Sequence, residues 1–163
     1  MPLTWSWYWP RFDAAIRVGE NTASIFEGAR QHKYERERGG QLFADMSDQH
    51  GISLIATPPH PADSSGHAWL ELNDERCQIE ITEANEKGLR LIGYWHTHPQ
   101  RVPQLSPKDV TSFKAFSIRY REVLPNPVAV IVGTALTPQG IRAWSVRHEG
   151  LLEAVQLADK MIF

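Results

Sequence analysis

This chain predicts an α/β sandwich in which a curved mixed β-sheet is flanked by helices, and three observations carry that prediction. Segments of strand and helix character are mixed along the whole sequence. The run Pro127 to Thr134 (Pro-Val-Ala-Val-Ile-Val-Gly-Thr) is the clearest buried strand in the chain, apolar throughout its centre. No repeat, low-complexity block or linker interrupts the 163 residues, which are enough for a single domain, 1–163, with a sizeable core.

Met1 to Pro10 carries three tryptophans and reads as a packed edge strand rather than an interfacial anchor. It lacks the basic start and long aliphatic core of an export signal. Ala14 to Val18 reads as a short strand. Asn21 then caps a helix to about Lys33, with Ile25, Phe26 and Ala29 as its apolar stripe. Gly39 to Met46 and Gly51 to Thr57 are two strands joined by the polar turn Ser47-Asp48-Gln49-His50. Pro58 to Gly66 is rich in proline, serine and glycine and reads as a long surface loop. His60 and His67 lie in or beside it; either can serve as a second metal ligand, but a solvated loop histidine is the favoured reading. A helix from Asp74 to Lys87 holds Cys77, expected to be a half-buried structural thiol.

Arg90 to Trp95 reads as a buried strand, and Pro99 stops its pairing. A helix follows from Ser106 to about Arg121. Beyond Thr134, a Pro138-Gln139-Gly140 turn leads into Ile141 to Arg147, whose alternation suits a half-exposed strand. The tail from Leu151 to Phe163 is expected to form a closing helix.

Composition narrows the function. Hydrophobic content of 42% and a net charge of −2 describe an ordinary globular chain, with no basic surplus to hold nucleic acid. No apolar run reaches the length of a membrane span. The single cysteine excludes an intramolecular disulfide and suits a reducing compartment, so the expected location is the cytoplasm.

The chemistry is concentrated between Trp95 and Val110. His96 and His98 are spaced i, i+2, so in a strand both imidazoles face the same side and can reach one metal ion. Asp109, eleven residues after His98, can complete a site of two histidines and one carboxylate. Such a set leaves a fourth position for water, as catalytic zinc requires. Ser106-Pro107-Lys108-Asp109 is a helix start: serine at the N-cap, proline at the first helical position, an acid in the first turn. His-x-His alone occurs on many surface strands, and Ser-x-x-Asp opens many helices; the two together favour a metal site. Glu37, just ahead of Gly39-Gly40, is a candidate general base, although it also belongs to the charged run Glu35 to Arg38.

Glu-x-Gly-Gly, then His-x-His-Pro, then Ser-x-x-Asp with seven residues between His98 and Ser106, resembles the pattern of the JAMM (MPN-plus) zinc metalloproteases. The resemblance implies the JAB/MPN, deaminase-like fold and an isopeptidase that removes ubiquitin-like proteins. It implies one zinc per chain on His96, His98 and Asp109, with Glu37 as the general base and Ser106 as donor to the oxyanion. The phrase Gly93 to Pro99 is similar to that of small bacterial members from antiphage operons, with Tyr94 where those carry an acid. Their implied substrate is a conjugate of a ubiquitin-like protein or a cGAS-like nucleotidyltransferase, and neither nucleic acid nor membrane is an expected partner.

Three other readings compete. The enzyme can process a small sulfur carrier or a phage-tail or cell-wall peptide, or the domain can bind ubiquitin-like tails without catalysis. An amidohydrolase of small molecules also begins with His-x-His, but it needs a barrel of about 250 residues, more than this chain has.

Overall fold

The computed structural model describes residues 4–47, 49, 51–122, 124, 126–137 and 139–158. Strands β1 (Trp5–Trp9) and β2 (Ala14–Val18) form a hairpin around a 3-10 turn at Pro10–Phe12. Helix α1 (Glu20–Gly28), β3 (Gly39–Asp45) and β4 (Ile52–Ala56) follow, then a small hairpin of β5 (Ser64–Gly66) and β6 (Trp69–Glu71). Next come α2 (Asp74–Glu86), β7 (Arg90–Thr97), α3 (Pro107–Arg119) and β8 (Val128–Val132). The chain ends in β9 (Ile141–Arg147), β10 (Gly150–Glu153) and β11 (Val155–Ala158).

One nine-stranded mixed sheet runs in the order β10-β9-β8-β7-β3-β4-β2-β1-β11. The β2–β4 and β7–β8 pairs are parallel, and the other pairs of this sheet are antiparallel. Its two ends are consecutive in sequence. Leu152 pairs with Ser145 in β9, while Val155 pairs with Tyr8 in β1. A bend at Ala154, whose N–H donates to the Ala143 carbonyl, therefore lets one segment bridge both edges of a strongly curled sheet.

The curl explains the core. Trp5, Trp7 and Trp9 alternate inward along β1 and join Phe26 of α1, Trp95 of β7 and Val130 of β8 in one buried cluster. Phe26 meets the Trp95 ring edge-on at 5.3 Å, an arrangement aromatic quadrupoles favour. On the other face, Phe113 of α3 packs with Ala129, Ile131, Trp144 and Val146. The buried strand expected at 127–134 is present as β8, with every residue buried.

Several expectations are corrected. The helix expected from Asn21 to Lys33 starts at Glu20 behind Gly19 and stops at Gly28. Beyond it, Arg30 donates to the Gly133 and Ala135 carbonyls, and Tyr34 adopts φ 72°, which no right-handed helix accommodates. The β1 strand is packed, as expected, but it lies between β2 and β11 rather than at an edge. The surface loop at 58–66 ends in β5 and leads into a hairpin. β9 is not half-exposed: five of its seven residues are buried, because α3 covers the face opposite the main core. The closing helix is instead β10 and β11, drawn into strands by the free edges of β9 and β1; residues 159–163 lie outside the described residues. So do Asp48, His50 and Pro138 of the expected turns. Among the described residues, no helix is long and apolar enough to cross a membrane.

Candidate metal centre

The end of β7 delivers the two histidines. Its last pairs place His96 beside Gly39 of β3 and Ile131 of β8, and the His98 N–H still donates to the Val132 carbonyl at 2.9 Å. Both backbones are thus fixed by neighbouring strands. The rings emerge on one face, as i, i+2 spacing dictates, with their Nε2 atoms 3.2 Å apart.

Asp109 arrives from the first turn of α3. Ser106 and Asp109 form a reciprocal capping box: the Ser106 N–H donates to Asp109 Oδ2 at 2.9 Å, and the Asp109 N–H donates to Ser106 Oγ at 3.0 Å. Held this way, the carboxylate puts Oδ1 3.1 Å from His96 Nε2 and Oδ2 3.2 Å from His98 Nε2. Burial alone would push the Asp109 carboxyl up, but hydrogen bonds from both histidines hold it far below the usual carboxylate range. The His98 Nδ1 faces Gln100 Oε1 at 3.2 Å; in a neutral ring with its proton on that nitrogen, Nε2 would offer its lone pair to a metal ion.

Glu37 is buried beside the histidines, with Oε1 4.0 Å from His98 Nε2. Burial pushes its carboxyl up, against the opposing pull of His96 and His98. Its N–H donates to Gly66 of β5 at 2.8 Å, while Arg38 exchanges hydrogen bonds with Thr97. The following glycines serve close approach. A Cβ on Gly39 would lie 2.2 Å from the Trp95 carbonyl oxygen, and one on Gly40 would lie 2.3 Å from that of Thr57.

Glu37, His96 and His98 form a buried group whose donor atoms all lie within 4.8 Å of one another and could hold a metal ion. Geometry ranks the acids around them. Tetrahedral zinc ligands at about 2.0–2.2 Å are separated by about 3.3 Å. The Asp109 oxygens match that edge, whereas Glu37 stands farther off, at a distance that suits a partner for water. The residues present fit the ion.

Of the five site residues expected from the sequence, Glu37, His96, His98 and Asp109 converge here, and Ser106 joins them through its bonds to Asp109. His60 and His67 do not: both are exposed, with His60 Nδ1 accepting from the Ala62 N–H and His67 Nδ1 beside the Glu35 carbonyl. Cys77 is half-buried, as expected, and burial pushes its thiol up to about 11.

Two buried side chains that brace the site carry no local sequence signal. Gln31 donates to the Glu35 and His67 carbonyls and accepts from Thr97 Oγ1, linking the Glu37 loop to β7. Arg76 of α2 pairs with Asp63 at 2.8 Å and Glu80 at 2.9 Å, and donates to the Gly39 carbonyl. A cleft of about 670 Å³ opens from the cluster along β7 between α2 and α3, a size typical of ligand sites.

Comparison with known proteins places the chain in a family. Residues 21–147 match the family of prokaryotic homologs of the JAB domain. The chain is 30% identical over 117 residues to a CD-NTase/cGAS isopeptidase of Pseudomonas aeruginosa (strain BWHPSA011 / Pa011), covering 68% of this chain and 73% of that protein. The solution structure of protein DSY2949 from Desulfitobacterium hafniense superposes with a TM-score of 0.60 at 16% identity. It covers 85% of this chain and 88% of that one, which is a likeness of fold.

Proposed function

Because the chain belongs to the family of prokaryotic JAB-domain homologs, we propose that it is a zinc-dependent isopeptidase. His96, His98 and Asp109 hold the metal, Glu37 is the general base, and Ser106 donates to the oxyanion. One observation carries this reading: two imidazole Nε2 atoms lie 3.2 Å apart with the two oxygens of Asp109 at 3.1 and 3.2 Å from them, one to each ring, and a buried carboxylate of raised pKa stands just outside.

When bound there, zinc supplies a Lewis acid that acidifies water and polarises a carbonyl. Glu37 takes a proton from the water that attacks the amide carbon and passes it to the departing amine, so that the C–N bond breaks. Burial suits it to this task, because a carboxylate of raised pKa is a stronger base. The Ser106 oxygen already accepts from the Asp109 N–H, which leaves its own proton free for the oxygen that becomes negative.

The substrate we assign is a protein conjugated through the C-terminal residue of a ubiquitin-like or cGAS-like nucleotidyltransferase partner. The enzyme reverses that conjugation in bacterial antiphage defence. The Pseudomonas relative, a CD-NTase/cGAS isopeptidase, supports this class, as does the Gly93 to Pro99 phrase. A sheet that draws strands from Trp5 to Ala158 supports treating residues 1–163 as one domain. The lone cysteine suits action in the cytoplasm.

Incubating the enzyme with such conjugates and locating the cleaved bond by mass spectrometry tests the proposal. Cleavage directly after the partner's terminal residue is expected. Cleavage at scattered internal bonds would instead make it a general peptidase.

A further inference from the structure

We propose that the cleft beside the metal cluster holds a side-chain pocket for the acyl partner. It takes a bulky apolar residue at the third position from the C-terminus of the extended tail being cleaved, with Tyr94 and Phe116 as the determinants. This rests on the isopeptidase reading and adds a tail residue to it.

The pocket and the cluster are parts of one concavity. Glu37, His96 and Asp109 line the same cleft as Tyr94, Phe113 and Phe116. A chain whose terminal carbonyl lies at the cluster therefore has a continuous course along β7. Tyr94 and His96 share a face of β7 and are two residues apart, about 6.6 Å along the strand. An extended tail has the same two-residue repeat. With its terminal residue over His96, the side chain two residues upstream stands over Tyr94.

What meets that side chain is apolar and only partly covered. The Tyr94 ring packs against Phe113 at 4.9 Å and Phe116 at 5.0 Å, and Phe116 against Tyr120 at 4.7 Å. Tyr94, Phe116 and Tyr120 all keep part of their surface exposed, with Leu91 and Ile81 also on the cleft wall. Aromatic surface left open inside a concavity is the usual form of a site for an apolar anchor.

The test uses ten-residue tail peptides ending in Gly and joined to aminomethylcoumarin, with Leu, Phe, Ala or Asp at the third position from the end. The zinc-loaded wild-type protein should show a kcat/KM about tenfold higher for Leu or Phe than for Ala, the discrimination a few methylenes give in a hydrophobic pocket. Tyr94→Ala and Phe116→Ala should bring Leu and Ala to within about twofold. Ile118→Ala, on the exposed side of α3, should keep the preference. Should Tyr94→Ala fail to fold, Phe116→Ala and the apolar Tyr94→Leu, which keeps the preference, carry the comparison.

The same tails as fluorescein-labelled free acids should bind Glu37→Gln protein in the same order by anisotropy, with no turnover needed. Equal cleavage of all four peptides, a preference that survives both alanine variants, or binding without discrimination overturns the pocket. Ordered binding without cleavage of any peptide upholds the pocket and counts against the isopeptidase reading.

Discussion

Ser106 and Asp109 hold each other at both ends: backbone N–H to carboxylate at 2.9 Å, and backbone N–H to hydroxyl at 3.0 Å. The interaction that starts α3 also aims a carboxylate at His96 and His98. Helix capping and ligand orientation are thus the same pair of bonds.

That double use can be separated. Ser106→Ala loses the cap and should reduce unfolding free energy by about 1 kcal/mol in urea. Ser106→Asn keeps a good N-cap acceptor without the hydroxyl, so its stability should stay near wild type. In both variants kcat should fall about 100-fold or more, as loss of an oxyanion donor does. Near-normal turnover by Ser106→Asn would remove the serine from the mechanism.

Arg76→Met strips the charge that Asp63 and Glu80 share, with side chains 3%, 7% and 19% exposed for Arg76, Asp63 and Glu80. Breaking such a buried network should lower stability by about 3–5 kcal/mol. A melting temperature unchanged from wild type would mean the charges are solvated in solution.

The same network sets an acid dependence. Burial pushes the Asp63 carboxyl up, but hydrogen bonds from Arg76 and the Asn73 N–H outweigh it and hold it below the ordinary range. A group depressed on folding adds stability that is fully present above its unfolded pKa, about 3.9, and is lost as pH falls through its folded value. The gap in unfolding free energy between wild type and Asp63→Asn should therefore stay level from pH 7 to about 5 and narrow below about 4. A constant gap down to pH 2.5 would contradict the pairing.

Local rules made the metal site legible in the sequence, and distance hid the rest. His-x-His in a strand and Ser-x-x-Asp at a helix start each fix geometry within a few residues, so His96, His98 and Asp109 were readable together. Glu37 was readable through Gly39-Gly40, whose crowding against Trp95 and Thr57 is a backbone requirement. The tail from Leu151 to Phe163, with leucine and alanine prominent at its start, reads as a closing helix, yet Leu151 to Ala158 is strand apart from Ala154. Its strand state depends on β1, about 150 residues earlier in the chain, and on β9. Arg76 in an ordinary amphipathic helix gives no hint that Asp63 and the Gly39 carbonyl converge on it.

Cys77 lines the cleft yet should be chemically quiet. Its thiol is pushed from an ordinary 9.0 up to about 11 by burial, which lowers the thiolate fraction about 100-fold near neutral pH. Iodoacetamide should modify it far more slowly than glutathione at pH 7.5, and Cys77→Ala should keep turnover. Rapid labelling with loss of activity would place the thiol in the reaction.

Zinc content of two single variants most directly separates a ligand from a base. Asp109 puts one oxygen 3.1 Å from His96 Nε2 and the other 3.2 Å from His98 Nε2, while Glu37 lies 4.0 Å from His98 Nε2. Mass-spectrometric metal analysis of purified Asp109→Ala should find the zinc lost, whereas Glu37→Ala should retain one zinc per chain and yet show no turnover. Zinc retained by Asp109→Ala but lost from Glu37→Ala would reverse the two roles and contradict the assignment.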